Sequence, residues 1–191
     1  MNAHHVVRRR LSIVACAAAL SLTLAACGKT NVPTSAENDG VYVTAGPITY
    51  QLQVSRELNQ YATEDSQYLK GLPTGQQTLG ANQEWYGVFL WAKNQTKRPE
   101  VTTSDFDIVD TQGSKYYPVA VNPSVNLYAW TAHRLGPGDT EPGPDTTASF
   151  GPTQGGLLLF KLNTSVYDNR PLMLEIRGPS QKVWGTISLD L

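Results

Sequence analysis

The sequence is poor in the residues that usually build reactive centres. It has two cysteines, Cys16 and Cys27, so no thiol follows position 27. This excludes a disulfide, a cysteine nucleophile and a thiolate metal site from the rest of the chain. His133 is the only histidine beyond His5, which excludes a zinc site built from several His or Cys ligands. We therefore expect no cofactor.

Positive charge is also scarce. Beyond Cys27 there are twelve Lys and Arg against sixteen Asp and Glu, a net charge of −4. A mildly acidic chain with scattered bases has no electrostatic footprint for nucleic acid. The same balance argues against electrostatic docking on an anionic membrane.

The first 27 residues have the features of an export signal. Arg8, Arg9 and Arg10 are followed by sixteen uncharged residues, 11–26. At about 1.5 Å per residue this run reaches roughly 24 Å, short of the ~20 residues that a spanning helix needs, as is typical of a signal peptide. Its end, Leu24-Ala25-Ala26-Cys27, resembles the lipobox of bacterial lipoproteins, in which small residues admit the processing enzymes and the thiol takes the diacylglyceryl group.

The lipobox resemblance implies that Cys27 becomes the acylated first residue of the mature chain. The protein would then be held by its lipid at the outer face of the bacterial cytoplasmic membrane, or at the outer membrane in a host that has one. Two or three acyl chains anchor a protein stably, whereas one chain holds it weakly. The alternatives are an ordinary secretory signal cut near Ala26 and an uncut membrane helix. Twin-arginine export through Arg9-Arg10 stays open.

The sequence divides into three parts. Residues 1–26 are the expected signal peptide. Residues 27–40 are the lipidated cysteine and a polar tether, whose composition cannot offset the entropy of ordering it. Residues 41–191 form the expected folded domain, since the 164 residues beyond Cys27 are enough for one core.

Apolar patterns beyond position 40 predict short strands with little helix. Residues 84–94 are apolar on both faces, which favours a central strand. Residues 63–71 carry cap and stop signals of a short helix. Frequent Gly and Pro turns separate the strands, so we predict an all-β fold: an immunoglobulin-like antiparallel β-sandwich of about seven strands, with one short helix and long loops. The predicted strands are 41–44, 48–54, 84–94, 106–110, 115–119, 156–162, 172–176 and 186–191.

A series of strand-and-turn patterns carries a family resemblance. In chain order they are Gly46-Pro47-Ile48-x-Tyr50, Trp85-x-x-Val88-Phe89, Lys93-Asn94-Gln95-Thr96, Phe106-x-Ile108-x-Asp110-x-x-Gly113 and Gly155-Gly156-Leu157-Leu158-Leu159-Phe160. Together they resemble the immunoglobulin-like domains of lipid-anchored and secreted proteins from Gram-positive bacteria, an actinobacterial secreted-antigen group among them. The resemblance covers residues 41–191. It implies a β-sandwich outside the cytoplasmic membrane and no catalytic residue.

Two loops, 57–82 and 122–154, exceed this simple pattern, and both carry aromatic residues. Aromatic side chains on loops make binding platforms, because they present a large area with little entropy to lose. The alternative is that they pack the loops onto the sandwich. The candidate binding residues are Tyr61 and Tyr68 in the first loop and Tyr128 and Trp130 in the second.

A metal site is not expected. Asp105, Asp107 and Asp110 are hard oxygen ligands that suit Ca²⁺. However, the spaced calcium-binding loop lacks its Gly at the sixth place and its Glu at the twelfth. Solvated strand and turn acids explain the cluster more simply.

Catalytic patterns are equally weak. His133 with the nearby Asp139 could form part of a triad, but the sequence has no G-x-S-x-G pattern. Glu64-Asp65 could serve glycoside hydrolysis, although favourable charge in a first helical turn explains the pair as well. No catalytic residue is therefore predicted.

These observations favour a non-catalytic envelope lipoprotein that binds or scaffolds an envelope protein or polysaccharide. One alternative is an envelope hydrolase acting on wall polymer or ester through acids and His133. An Asp or Glu in hydrogen-bond reach of His133, beside a Ser in a cleft, would favour it. Another alternative is a small-ligand carrier, which needs an enclosed apolar pocket between the sheets.

Overall fold

The structure is a computed structural model and describes residues 33–189. The predicted signal peptide and the predicted lipidation site, Cys27, lie outside these residues. Within them the chain forms twelve strands, one α-helix of four residues and two 3₁₀ helices. The strands are β1 Ser35–Ala36, β2 Tyr42–Ala45, β3 Ile48–Leu58, β4 Gln83–Asn94, β5 Glu100–Val101, β6 Phe106–Val109, β7 Lys115–Tyr116, β8 Arg134–Leu135, β9 Thr140–Glu141, β10 Gly156–Asn163, β11 Leu172–Arg177 and β12 Val183–Leu189. The helices are α1 Thr147–Phe150 and the 3₁₀ helices Thr164–Asn169 and Pro179–Gln181.

Two sheets form a β-sandwich. The first sheet has the order β1-β12-β11-β6-β7, and the second has the order β10-β4-β3-β2 with β9 beside β4. A small third sheet pairs β5 with β8. Neighbouring strands are antiparallel, except that β1 runs parallel to β12. The prediction of an all-β sandwich is confirmed, and seven of the twelve strands in residues 33–189 have four or more residues.

Strand β4 is central, as its apolar pattern predicts. It lies between β3 and β10, and both of its faces are buried. Tyr86, Val88 and Leu90 point into the main core between the two sheets. Trp85 and Phe89 point to the other face of the second sheet and belong to a separate core.

This second core lies beneath the two long loops. Leu157 and Leu159 of β10 pack there with Trp85 and Phe89 of β4. Tyr68 of the first loop, together with Tyr128 and Ala148 of the second, covers them. The loops therefore make a third layer on the sandwich.

The prediction of a short helix at residues 63–71 is wrong. The chain makes a series of turns there instead. The Asp65 carboxylate lies 2.6 Å from Arg56 Nη2 on β3, and it also accepts the backbone N–H of Asn59 at 2.8 Å. Its side chain is buried in these contacts, and the pKa of Asp65 is lowered chiefly by the Arg56 hydrogen bond. Asp65 thus holds the loop to β3 rather than favouring a first helical turn.

The prediction of a flexible tether up to residue 40 is wrong for residues 33–40. Strand β1 lies in this stretch and pairs with β12, and its Ala36 is buried in the main core. The backbone of a polar segment can still hydrogen-bond to a sheet edge, and composition alone does not show that. The domain therefore begins closer to Cys27 in sequence than expected.

Asn126 joins the two long loops. Its Nδ2 donates to the backbone oxygens of Tyr68 at 2.8 Å and Lys70 at 3.1 Å. Its Oδ1 accepts the N–H of Tyr128 at 3.0 Å, and its side chain is 1% exposed. The rings of Tyr68 and Tyr128 meet edge to face, 4.8 Å between centroids. The two loops therefore fold as one unit.

We predict that Asn126→Ala lowers the free energy of unfolding by about 2–3 kcal/mol, because it leaves buried backbone groups without partners. Urea unfolding followed by tryptophan fluorescence measures the change. Asn122→Ala is the matched control. Asn122 is exposed and its side chain accepts one local N–H, from Ser124, so its change should stay under about 1 kcal/mol. Equal losses in both variants would contradict the role of Asn126.

Candidate functional site

Trp184 of β12 lies flat against two glycines at one end of the sandwich. A Cβ at Gly178 would lie 2.0 Å from its Cε2, and a Cβ at Gly46 would lie 2.5 Å from its Cε3. Gly46 also has a φ of +62°, which side chains other than glycine rarely adopt. Only glycine at both positions lets the indole reach this position.

The indole lines a cleft of about 500 Å³, here called the Trp184 cleft. Its other apolar lining consists of Pro47, Val101, Ala132 and Pro179. Val101 is 52% exposed, so part of this apolar surface faces solvent. The rest of the lining is Gly178, Glu100 and the polar residues 102–105.

A second cleft of about 510 Å³ adjoins the first, and the two share Ser104 and Ala132. We call it the Trp130 cleft. Two stretches of the chain, 118–121 with Pro123 and 129–132, line it together with residues 157–159 of β10. Both stretches are held to β10, since Val119 N–H donates to Leu159 O and Trp130 N–H donates to Leu157 O. The lining is mostly Ala, Val, Leu and Pro.

Trp130 is fixed in the wall of this cleft rather than displayed on a loop. Its Nε1 donates to Thr103 O at 2.8 Å. Its ring packs against Phe106, with 5.6 Å between centroids, and against Tyr50, with 6.1 Å. Burial raises the pKa of that Tyr50 hydroxyl to about 12.

The four predicted binding aromatics do not form one platform. Tyr68 and Tyr128 are 1% and 5% exposed, and Trp130 is half-buried. These three pack the loops onto the sandwich, as the alternative proposed. Tyr61 is 89% exposed and stands apart. Of the four, Trp130 alone lines either of the two clefts.

The sequence did not point to Trp184 because its surroundings come from distant segments. Pro47 follows β2, Val101 ends β5, and Pro179 follows β11. Gly46-Pro47 and Gly178-Pro179 are two of five Gly-Pro pairs in the sequence, so that signal is weak.

His133 meets an acid, but it is Glu141 rather than Asp139. Its Nε2 lies 3.2 Å from Glu141 Oε2, and its Nδ1 lies 3.0 Å from the carbonyl oxygen of Thr131. Asp139 instead accepts the N–H of Gly136. Both ring nitrogens therefore have a partner, and neither partner is a hydroxyl. The acid expected beside His133 is present, whereas the contacts of the ring include no serine.

The Asp cluster is held by neighbouring side chains and turns. Asp107 lies 2.5 Å from Arg177 and 3.1 Å from Lys115. Asp110 accepts backbone N–H groups of the turn that follows it, and these bonds lower its pKa although burial opposes them. Within residues 33–189 no three His, Cys, Asp or Glu side chains are placed to hold a metal ion.

The comparisons with known proteins show a fold and no family. No protein-family model matches the chain, and no curated protein matches it. The yjhA protein from Bacillus subtilis is similar in structure, with a TM-score of 0.53 and 13% identity over 81% of this chain and 99% of that one. At this identity the likeness shows the β-sandwich fold alone.

Two further solved structures are similar at lower scores. One is ycdA from Bacillus subtilis, provisionally named a lipoprotein, with a TM-score of 0.48 and 12% identity over 81% of this chain and 39% of that one. The other is a β-sandwich protein from Clostridium difficile 630, with a TM-score of 0.42 and 10% identity over 85% of this chain and 99% of that one. These scores carry no argument about this chain. None of the helices within residues 33–189 has the length and apolar character of a membrane span.

We predict that Gly178→Ala destabilises the domain by about 1–3 kcal/mol, because the new methyl group must displace the Trp184 indole. Urea unfolding measures the loss. Gly143→Ala is the control: its Cβ would meet only Thr146 Cγ2, at 3.7 Å. The cost of Gly178→Ala should shrink in a Trp184→Ala background. An unchanged cost there would contradict the contact.

A second prediction concerns pH. Burial raises the pKa of Glu141 above its ordinary 4.5, and the charge of His133 opposes this. The folded state therefore favours protonated Glu141, so stability falls as pH rises from about 4.5 through the raised pKa. We expect Glu141→Gln, which cannot ionise, to be more stable than the wild type at pH 8 and equal to it near pH 4. Urea midpoints across this range test the expectation, with the exposed Glu64→Gln as control. A less stable Glu141→Gln at pH 8 would show that the contact with His133 outweighs burial.

Proposed function

We propose that this protein is a non-catalytic lipoprotein of the bacterial cell envelope that binds another envelope component in the Trp130 cleft. The observation that carries the proposal is an open, mostly apolar cleft whose walls are fixed by backbone hydrogen bonds to β10. The lipobox at Cys27 and the resemblance to immunoglobulin-like domains of Gram-positive envelope proteins support the location. Membrane contact comes through the lipid, at the outer face of the cytoplasmic membrane.

The lining of the cleft favours a polypeptide over a polysaccharide. Val119, Val121, Pro118 and Leu159 offer apolar contacts of the kind that form the buried centre of protein–protein interfaces. Ala120 and Thr131 line the cleft from different stretches of the chain and are both exposed, so a partner can reach it. The preformed walls lower the ordering cost of binding.

A small-ligand carrier has less support. Such a protein needs an enclosed cavity between its sheets. Leu52, Tyr86, Phe160 and Leu174 fill the space between the sheets and are 0% exposed. The clefts described here lie outside that core.

An envelope hydrolase remains the second candidate because Glu141 lies 3.2 Å from His133. The pair has no hydroxyl nucleophile in contact with the ring, and Thr131 O engages the other ring nitrogen. An activated nucleophile needs a base within hydrogen-bond reach. Hydrolysis of ester or wall-polymer substrates by the purified protein, lost in His133→Gln, would favour this candidate.

The binding proposal is tested by photo-crosslinking in intact cells of the host bacterium. A benzophenone amino acid replaces Ala120 in the cleft, or Ala81 as a control that is also exposed but lies outside both clefts. We expect a discrete adduct from position 120 and none from position 81. Adding Thr131→Arg in the other lining stretch should reduce the adduct, since it places a charge in a mostly apolar cleft.

Two outcomes would contradict the proposal. Equal adducts from positions 120 and 81, or none from either, would exclude the cleft as the binding site.

In a parallel arm, Cys27→Ala should release the protein from the membrane fraction. Mass spectrometry of the wild-type amino terminus should show acylated Cys27, and an unmodified thiol would remove the anchor.

A further inference from the structure

The described chain begins beside Trp184. Pro33 O accepts the N–H of Thr44 at 2.8 Å, and Thr34 O accepts the N–H of Thr186 at 3.0 Å. Because β1 and β12 are parallel and Ser35 pairs with Thr186, Pro33 lies level with Trp184 on the neighbouring strand. The amino-terminal end of the domain and the Trp184 cleft therefore lie at the same end of the sandwich.

Only six residues, 27–32, separate Pro33 from the proposed lipid attachment, Cys27 included. At no more than about 3.6 Å per residue they span roughly 22 Å at most. The fourteen-residue tether expected from composition would have spanned roughly 50 Å by the same measure. The pairing of β1 therefore more than halves the maximum distance between the lipid attachment and the start of the folded domain.

The surface at this end suits a membrane interface. Trp184 is half-buried, and Val101 in the same cleft is 52% exposed. Pro47, Ala132 and Pro179 complete the apolar part of the lining, and Glu100 and Asp105 add two carboxylates to it. Tryptophan is enriched where membrane meets water, because its indole combines an apolar ring with one N–H donor.

We propose that the Trp184 cleft docks on the lipid surface to which Cys27 is attached. The inference rests on the proposed function for its anchor. The cleft is small and the mature chain carries a net charge of −4, so this surface alone would bind a membrane weakly. The anchor supplies the missing affinity, because a short link makes the second contact intramolecular.

The test uses the full, lipidated protein in phosphatidylcholine vesicles that contain brominated phosphatidylcholine. Bromine near the top of the acyl chains quenches tryptophans that lie at the interface. We expect quenching of the wild type and loss of most of it in Trp184→Phe. Trp85→Phe is the matched control, because Trp85 is buried and far from the Trp184 cleft. The Gly46 turn beside the cleft precedes Ile48, which pairs with Asn94, and Trp85 lies nine residues from Asn94 along β4. It should leave the quenching unchanged.

A second variant keeps the test independent of any change in folding. Val101→Asp leaves Trp184 in place and puts a charge on the exposed rim of the cleft, so it should also reduce the quenching. Circular dichroism checks that each variant is folded. Equal quenching in the wild type, Trp184→Phe and Val101→Asp would overturn the docking proposal. Acylated Cys27 with unquenched Trp184 would overturn docking and leave the anchor standing, whereas unacylated Cys27 would overturn both.

Discussion

Strand β4 is apolar on both faces, so each face needs a cover. The first sheet covers one face, where Tyr86 and Leu90 enter the main core. The other face carries Trp85 and Phe89, and loops rather than a third sheet cover it. Apolar area stabilises a fold by about 25 cal/mol per Å² removed from water. Burial of these two aromatic side chains therefore offsets part of the entropy cost of ordering the loops. The long loops are thus part of the core, which explains why Tyr68 and Tyr128 are buried.

The parts of the fold that could be predicted depend on local patterns. β4, the β6–β7 hairpin and β10 follow from periodicity and turn residues that are visible in short windows. The helix at 63–71 failed because its cap signals are local, whereas Arg56, which captures Asp65, lies on another element. The prediction missed β1 for the same reason, because a strand of two residues that pairs with β12 leaves no periodic pattern in the sequence. Non-local pairing explains both errors.

The candidate site was only partly visible for a related reason. Trp130 was identified as a loop aromatic, but which way it faces depends on Thr103 and Phe106, which lie in other segments. Trp184 sits on a strand, where an aromatic residue usually indicates core packing. His133 found its carboxylate in Glu141, eight residues along the chain, and not in the nearer Asp139. Residue type indicated the kind of contact, and the fold decided the partner.

The parallel pairing of β1 with β12 also has a mechanical consequence. Tension applied through the amino terminus acts first on residues 33–40, which are held by a two-residue strand and a few backbone hydrogen bonds. Peeling them away would add eight residues of slack, about 28 Å when extended. The two sheets would keep most of their pairing, since β3, β4, β10 and β11 lie downstream of that segment. Under tension, the segment 33–40 of such a domain detaches and lengthens the link to the anchor before the two sheets separate.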